Sequence, residues 1–378
     1  MNNSKPKNFQ LFLPFMGDSL GGAQVSTTEL IRSIDKNLFD CTLVLHSKNS
    51  QFIELINSHK LSYKIFPLPV FIKSTSRFWP LIFVNLPVII WYLIKFRPNI
   101  IHTNELRSNF LYSMASRILN IHHVWHQRSD LNSSPHSRHN RSEVKISFFT
   151  KVIYQFATHV VAVSNSIRTK INKINPKLVC TTIYNPVPEK ISLTSISEQK
   201  FQNYDNFVPY YLKLGYLGRI NSLKNLPYSL EVVKHINKSI PCRLVVASPN
   251  TLTDYPELLG HPLVKYIGYQ TPQNFFPKVD YAIISSIQEG WGRTLVEAMN
   301  YGIIVFANPS GGHLEIILPN INGFFLLPSA EESARLILAI NKMTFFKDYI
   351  ERTARIFSKR FIPLKIAQQI QDFYLTIL

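Results

Sequence analysis

Short apolar runs alternate with longer stretches of helical period along the first half of the chain. FQLFLPF (9–15), CTLVLH (41–46), NIIHTN (99–104), HHVWHQ (122–127), HVVAVS (159–164) and VCTTIYN (179–185) read as strands. Segments of helical spacing lie between them, such as Ala23–Ile34 and Leu106–Leu119. Strands this apolar, separated by helices, belong to parallel sheets covered on both faces. The alternation stops over residues 186–209, which are polar, carry several prolines and have a linker's composition. It restarts with YLKLGYLG (211–218), CRLVVAS (242–248), VKYIG (264–268), DYAIISS (280–286) and IIVFAN (303–308). The pattern predicts an α/β chain of two Rossmann-like, doubly wound domains. The first takes residues 1–185 and the second 210–355. A C-terminal stretch, 356–378, has an apolar helix from roughly Pro363 to Leu378 and is expected to pack back on the first domain. Ligands of open parallel sheets bind beyond the carboxyl ends of the strands, so functional residues should follow strands.

One segment disturbs this picture. FWPLIFVNLPVIIWYLIKF (78–96) is close to the ~20 residues a membrane span needs. Pro80, Asn85 and Pro87 interrupt it, Arg77, Lys95 and Arg97 flank it, and strands of one sheet lie on both sides of it in sequence. A buried or membrane-grazing helix fits these features better than a span. The 378 residues, 46% hydrophobic, suffice for two cores of ordinary size. The three cysteines have no metal or redox spacing and fit a reducing, cytoplasmic compartment. The first residues lead straight into a strand and read as part of the fold, not as a signal peptide.

Charge adds a partner class. The net charge is +18, and residues 1–190 carry 23 basic against 9 acidic side chains. A basic first half suits an anionic membrane surface or a lipid-linked phosphate. No nucleic-acid-binding signature accompanies it, so no nucleic acid is expected.

Four segments carry chemistry. In SSIQEGWGRTLVEAM (285–299) a strand ends, a glycine-containing loop turns, and a helix begins. The glycines let backbone approach a ligand, and the N–H groups at the helix start suit a phosphate. Glu289 in the loop and Glu297 one turn into the helix can both accept from sugar hydroxyls. Alternatively, Thr294-x-x-Glu297 is a capping-box pattern and Glu289 a solvated loop acid. In LGYLGRINSLKN (214–225), Arg219 offers a fork for phosphate and Lys224 a point charge, unless both are ordinary surface charges. GDSLGGAQ (17–24), with Gly22, is a glycine turn before a helix and lacks the three-glycine dinucleotide spacing. In IHHVWHQRSD (121–130), strand alternation puts His123 opposite His122 and His126, which disfavours a zinc site. His126 stands at the strand's end, as a ligand-facing or a structural histidine.

The Glu-x7-Glu spacing in this strand–loop–helix setting resembles the retaining glycosyltransferases of family 4, group 1. IIVFANPSGGHLE (303–315) and INGFFL (321–326) are similar to the stretch that follows it in that family, and RPNIIH (97–102) and HVVAVSN (159–165) to segments of its acceptor domain. The resemblance implies the GT-B architecture, two Rossmann-like domains facing across a cleft. It implies that Glu289 and His126 stand near the transferred sugar as catalytic, positioning groups. Arg219, Lys224, Gly22 and the run Gly290, Trp291, Gly292, Arg293 and Thr294 would hold the donor diphosphate, and Glu297 the ribose.

The implied activity is retaining hexosyl transfer from a UDP- or GDP-sugar to a hydroxyl of a glycan or lipid-linked acceptor, in cell-surface polysaccharide or lipopolysaccharide biosynthesis. No Asp-x-Asp triplet occurs in the chain, so no metal is expected, and no cofactor beyond the donor substrate. The expected location is cytoplasmic, peripheral on the inner membrane's cytoplasmic face. A nucleotide-sugar epimerase or phosphorylase of the same fold, or a non-enzymatic basic protein that binds membrane or polyanion, are the competing readings.

Overall fold

The computed structural model describes residues 8–16, 20–48, 50–69, 83–130, 154–188, 211–253 and 255–378. The chain divides into two compact units. The first runs to Pro186 and takes back Pro363–Leu378; the second holds Val187–Ile362.

In the first unit, strands β1 (Phe9–Phe15), β2 (Phe39–Leu45), β3 (Tyr63–Ile65), β4 (Ile100–Thr103), β5 (His122–Gln127), β6 (His159–Ala162) and β7 (Val179–Thr182) form one sheet. Their order is β3-β2-β1-β4-β5-β6-β7, and every pairing is parallel. Alternation along the strands sorts the side chains to two faces. Leu11, Leu13 and Phe15 pack with helices α1 (Gly22–Ser33) and α2 (Ser50–Ser58) and with the C-terminal helix (Pro363–Ile377). Phe12, Val44 and Ile101 pack on the other face with α3 (Leu86–Phe96) and α4 (Leu106–Leu119). Helix α5 (Asn165–Ile174) links β6 to β7, with the Ser164 hydroxyl capping it by accepting from the Ile167 N–H.

The second unit repeats the plan. Strands β8 (Leu212–Leu217), β9 (Cys242–Ala247), β10 (Val264–Tyr266), β11 (Tyr281–Ile284), β12 (Ile304–Ala307) and β13 (Phe324–Phe325) lie in the order β10-β9-β8-β11-β12-β13, again all parallel. Its helices of eight residues or more are α6 (Leu226–Asn237), α7 (Arg293–Asn300), α8 (Ala330–Asn341) and α9 (Thr344–Ser358). The order in which strands are added reverses once in each sheet, between β1 and β4 and between β8 and β11. In open parallel sheets that reversal is where ligands bind.

Every strand expected from the apolar runs is present. β3 and β13 are three and two residues long, too short to make a pattern of their own. The boundary expected at 355/356 falls inside α9. The chain leaves the second unit after Ile362 instead, where Pro363 opens a new helix; proline suits a first turn, whose N–H has no helical partner anyway. Most of the expected linker, residues 189–210, lies outside the described residues, as do 70–82 with Trp79. The described part of the apolar segment forms a short turn and then α3, with Pro87 in its first turn. Among the described residues no helix is long and apolar enough to cross a membrane.

The first unit's core also buries neutral histidines. His46 Nδ1 lies 2.7 Å from the Phe66 carbonyl and Nε2 2.8 Å from the Tyr112 hydroxyl. Burial pushes His46 down to about 4 and His123 to about 3. The unfolded chain binds protons at these rings near pH 6.5, whereas the folded chain stays neutral, so acid favours unfolding. Each ring should remove about 1.4 kcal/mol of stability per pH unit below ~6.5, until its folded pKa is reached. Urea midpoints measured between pH 7 and 4.5 should fall accordingly; a flat midpoint would contradict the neutral burial.

Candidate functional site

The second unit gathers its candidate residues at the carboxyl ends of β8 and β11, on either side of the reversal. After β8, Gly218 takes a φ of +150° and the exposed Arg219 follows. A single 3-10 turn (Ser222–Lys224) leads through Asn225, left-handed at φ 50°, into α6. The loop after β11 is stitched to this turn. The Ile287 N–H donates to the Leu223 carbonyl at 2.9 Å. The Ser285 hydroxyl lies 2.8 Å from the Lys224 carbonyl, 2.9 Å from that of Asn225 and 2.8 Å from the Ser229 hydroxyl.

These contacts bring Lys224 Nζ to 2.5 Å from Glu289 Oε2. Burial pushes the Glu289 carboxyl up. The Lys224 ammonium, by its charge and its hydrogen bond, more than offsets this, leaving the carboxyl below the usual carboxylate range and ionised.

A third loop, after β12, holds the backbone of Glu289. The Ser310 hydroxyl and the Asn308 amide both donate to the Ser286 carbonyl, at 2.9 and 3.1 Å. The Gly312 N–H donates to the Glu289 carbonyl at 3.3 Å. Gly311, at φ +51°, passes so close that a Cβ there would sit 1.8 Å from the Glu289 carbonyl oxygen. His313 follows, wholly buried. Its Nδ1 donates to the Asn308 carbonyl at 2.9 Å, because a carbonyl can only accept. Burial lowers its pKa against the pull of Glu289 and keeps the ring neutral.

Helix α7 then starts at Gly292, whose φ is +108°, with no side-chain cap. Glu297 does not form the capping box its spacing allowed. Its Oε1 accepts from Arg293 Nε at 2.6 Å, and Glu297 is buried. The first-turn N–H groups of Arg293 and Thr294 have no carbonyl four residues back within the helix, and the helix dipole is positive there. Gly290, Trp291 and Gly292 are buried, with the Trp291 ring edge-on to Phe361 at 5.2 Å. Lys224, Arg219 and this helix start place positive charge beside two carboxylates. That combination can hold an anionic diphosphate and hydroxyl groups at once.

The first unit holds the other two candidates. Gly22 is the exposed first residue of α1, with nothing within 4 Å of where a Cβ would stand. Gly17–Ser19 lie outside the described residues. His126, at the end of β5, is buried. Its Nδ1 lies 3.1 Å from His102 Nε2, and His102 Nδ1 lies 2.5 Å from the Tyr374 hydroxyl. Burial, then Arg128 and His102, hold the His126 pKa well below 6.5. His123 points to the opposite face, where its Nε2 meets the Thr103 hydroxyl at 2.9 Å, as strand alternation requires. Among the described residues no three His, Cys, Asp or Glu side chains are grouped to hold a metal ion.

His102, Tyr374, His313 and the Gly311–Gly312 contact were not singled out as site residues by sequence reasoning. The Gly-Gly-His run was a usable signal; for Tyr374, at the far end of the chain, there was none.

Comparison with known proteins follows the same division. Residues 20–190 match the family described as Glycosyltransferase Family 4, and residues 200–355 match the one described as Glycosyl transferases group 1. An uncharacterised glycosyltransferase of Methanocaldococcus jannaschii is 24% identical over 52% of this chain, which spans about half of that relative, 54%. A 42.6 kDa protein in the cps region of Klebsiella pneumoniae is 24% identical over 82% of this chain and 87% of its own. Among solved structures, Anabaena HepE in complex with UDP and glucose superposes with a TM-score of 0.77 at 21% identity, covering 98% of this chain and 100% of that one.

Proposed function

The chain belongs to the group 1 glycosyltransferases, and from that premise we propose that it moves a hexose from a UDP- or GDP-sugar to a hydroxyl of a glycan or lipid-linked acceptor, with retention. The observation that carries this reading is the Lys224–Glu289 pair at 2.5 Å, set at the sheet's reversal beside the start of α7. The bond from the anomeric carbon to the leaving phosphate breaks, and the acceptor oxygen bonds to that carbon. The acceptor proton passes to the departing diphosphate. Negative charge grows on that diphosphate, and Arg219, Lys224 and the N–H groups of Gly290–Thr294 stabilise it without a metal. Glu297 takes the ribose hydroxyls and Glu289 orients the sugar.

The acceptor is proposed to lie at an anionic membrane surface on the cytoplasmic side, in polysaccharide or lipopolysaccharide assembly. Helix α3 supports this. On it Trp91 and Ile94 are 54% and 51% exposed, Val84 in the turn just before it is 50% exposed, and Lys95 Nζ lies 5.0 Å above the Trp91 ring. Aromatic and basic side chains of this kind suit a lipid interface. The Klebsiella relative's place in a cps region accords with a glycan-assembly setting.

Melting curves with UDP, GDP, CDP and dTDP, each with and without EDTA, test the donor site. A diphosphate at 100 times its Kd adds about 2.7 kcal/mol, so one of the four should raise the Tm clearly, unaffected by EDTA and lost in Arg219→Ala. No shift with any of them in folded protein would favour the polyanion-binding reading. Pelleting with phosphatidylglycerol vesicles, weakened in Trp91→Ala, tests the membrane contact.

A further inference from the structure

Helix α9 has two apolar faces. Ile350, Ala354 and Ser358 are buried on one, and Ile350 joins the second unit's core. The opposite face carries Phe345, Tyr349, Arg352 and Ile356, all exposed, with Phe345 at 92%, Tyr349 at 48% and Ile356 at 69%. At helical spacing these four fall on one stripe. The Thr353 hydroxyl on α9 contacts the Ile321 carbonyl, and Ile321 and Leu318 add exposed apolar surface beside the helix. Contiguous apolar surface that the fold leaves in water marks an interaction site.

The stripe reads the same from either end. Its members are four, three and four residues apart, so its midpoint falls between Ile350 and Glu351. At the helical rise, Phe345 and Ile356 stand about 8 Å to either side of that point, and Tyr349 and Arg352 about 2 Å. A two-fold axis through the midpoint lays a second α9 antiparallel on the first, as in an isologous interface. Phe345 then meets Ile356 of the second copy. Tyr349 meets Arg352 of the second copy, and a guanidinium suits an aromatic face.

Charge follows the same symmetry. Asp348 is exposed on the same flank of the stripe as Arg352, about 4 Å from the midpoint along the axis. The two-fold sets that flank against itself, so Arg352 of the second copy comes level with Asp348 to within about 2 Å. Among the described residues neither Asp348 nor Arg352 has an ion-pair partner in its own chain. Pairing across the axis supplies a partner to each, twice over.

We propose that α9 is the seam of a homodimer in which two copies of this chain pair antiparallel along Phe345–Ile356. An unrelated protein would need no such palindrome, and an anionic lipid surface would repel Asp348 beside the centre of the stripe. The seam is about three turns long, small for a specific interface, so the dimer should dissociate on dilution.

Sedimentation velocity over a concentration series reads the association. The native chain should pass from monomer to dimer as concentration rises. Phe345→Asp should weaken the dimer at least tenfold, as the loss of an aromatic anchor does. Asp348→Arg should weaken it too, because it sets like charges together at both ends of the axis. Combining Asp348→Arg with Arg352→Asp reverses both charges and should recover most of that loss. All these positions are exposed, so each variant should keep the native Tm. A chain that stays monomeric at every concentration would overturn the proposal. So would a dimer that Phe345→Asp leaves intact, or one that the charge exchange weakens further. If the chain is monomeric and Phe345→Asp releases it from phosphatidylglycerol vesicles, the stripe is a lipid contact and the seam fails.

Discussion

Replacing Glu289 with Ala should lower kcat by about 10²-fold or more, and replacing Lys224 with Ala should do the same, while both proteins stay folded. Each side chain is partly buried and each partners the other at 2.5 Å. Their effects should therefore not add. The double variant should lose far less than the product of the two single losses, because either substitution already breaks the pair. The two differ in pH dependence. In the native protein the Lys224 ammonium outweighs burial and keeps Glu289 below the ordinary carboxylate range. Without Lys224, burial dominates and the carboxyl becomes harder to ionise. The acid limb of the kcat profile should move to higher pH in Lys224→Ala. Full activity in both single variants, measured with the stabilising nucleotide's sugar donor, would remove the pair from the site.

Gly311→Ala should be nearly as damaging, although no side chain of the reaction is touched. The backbone there lies at φ +51°, where a Cβ costs roughly 1–2 kcal/mol. The larger problem is the Glu289 carbonyl oxygen 1.8 Å from the new atom. A carbonyl oxygen cannot rotate aside as a side-chain tip does, so the 287–292 loop itself must retreat. A displacement of about 1 Å at a catalytic group can cost ~10²-fold in rate. The expected result is a lower Tm together with a kcat loss of that order. A Gly311→Ala protein with native kcat would mean that the position of the loop does not matter to the reaction.

Much of this protein was legible as a string of residues. The apolar runs that became strands are local signals, strongest where the strand is buried on both faces, as in β1, β4, β11 and β12, and weaker at β7 and β10, whose residues are half-buried or exposed. The Glu289–Glu297 spacing is local too, because it only requires a loop and one helical turn. The return of the chain to the first unit was readable as an apolar helix, but its start at Pro363 depended on where α9 ended.

What the sequence by itself determined was the alternation of strands and helices, the two sheets, and the residues standing after each strand. Only the tertiary structure decided how those residues are paired. Lys224 and Glu289 are 65 positions apart, and His102 and Tyr374 are 272 apart. Glu297 could cap or pair, and the choice fell to Arg293 once Gly292 became the helix start. His126 could be a ligand-facing or a structural histidine, and only folding buried it beside Arg128 and His102, a setting that holds its pKa well below 6.5. The reason is physical. Hydrophobic periodicity is written in neighbouring residues, whereas a side chain's charge and hydrogen-bond direction depend on groups that only folding brings within 3 Å of it.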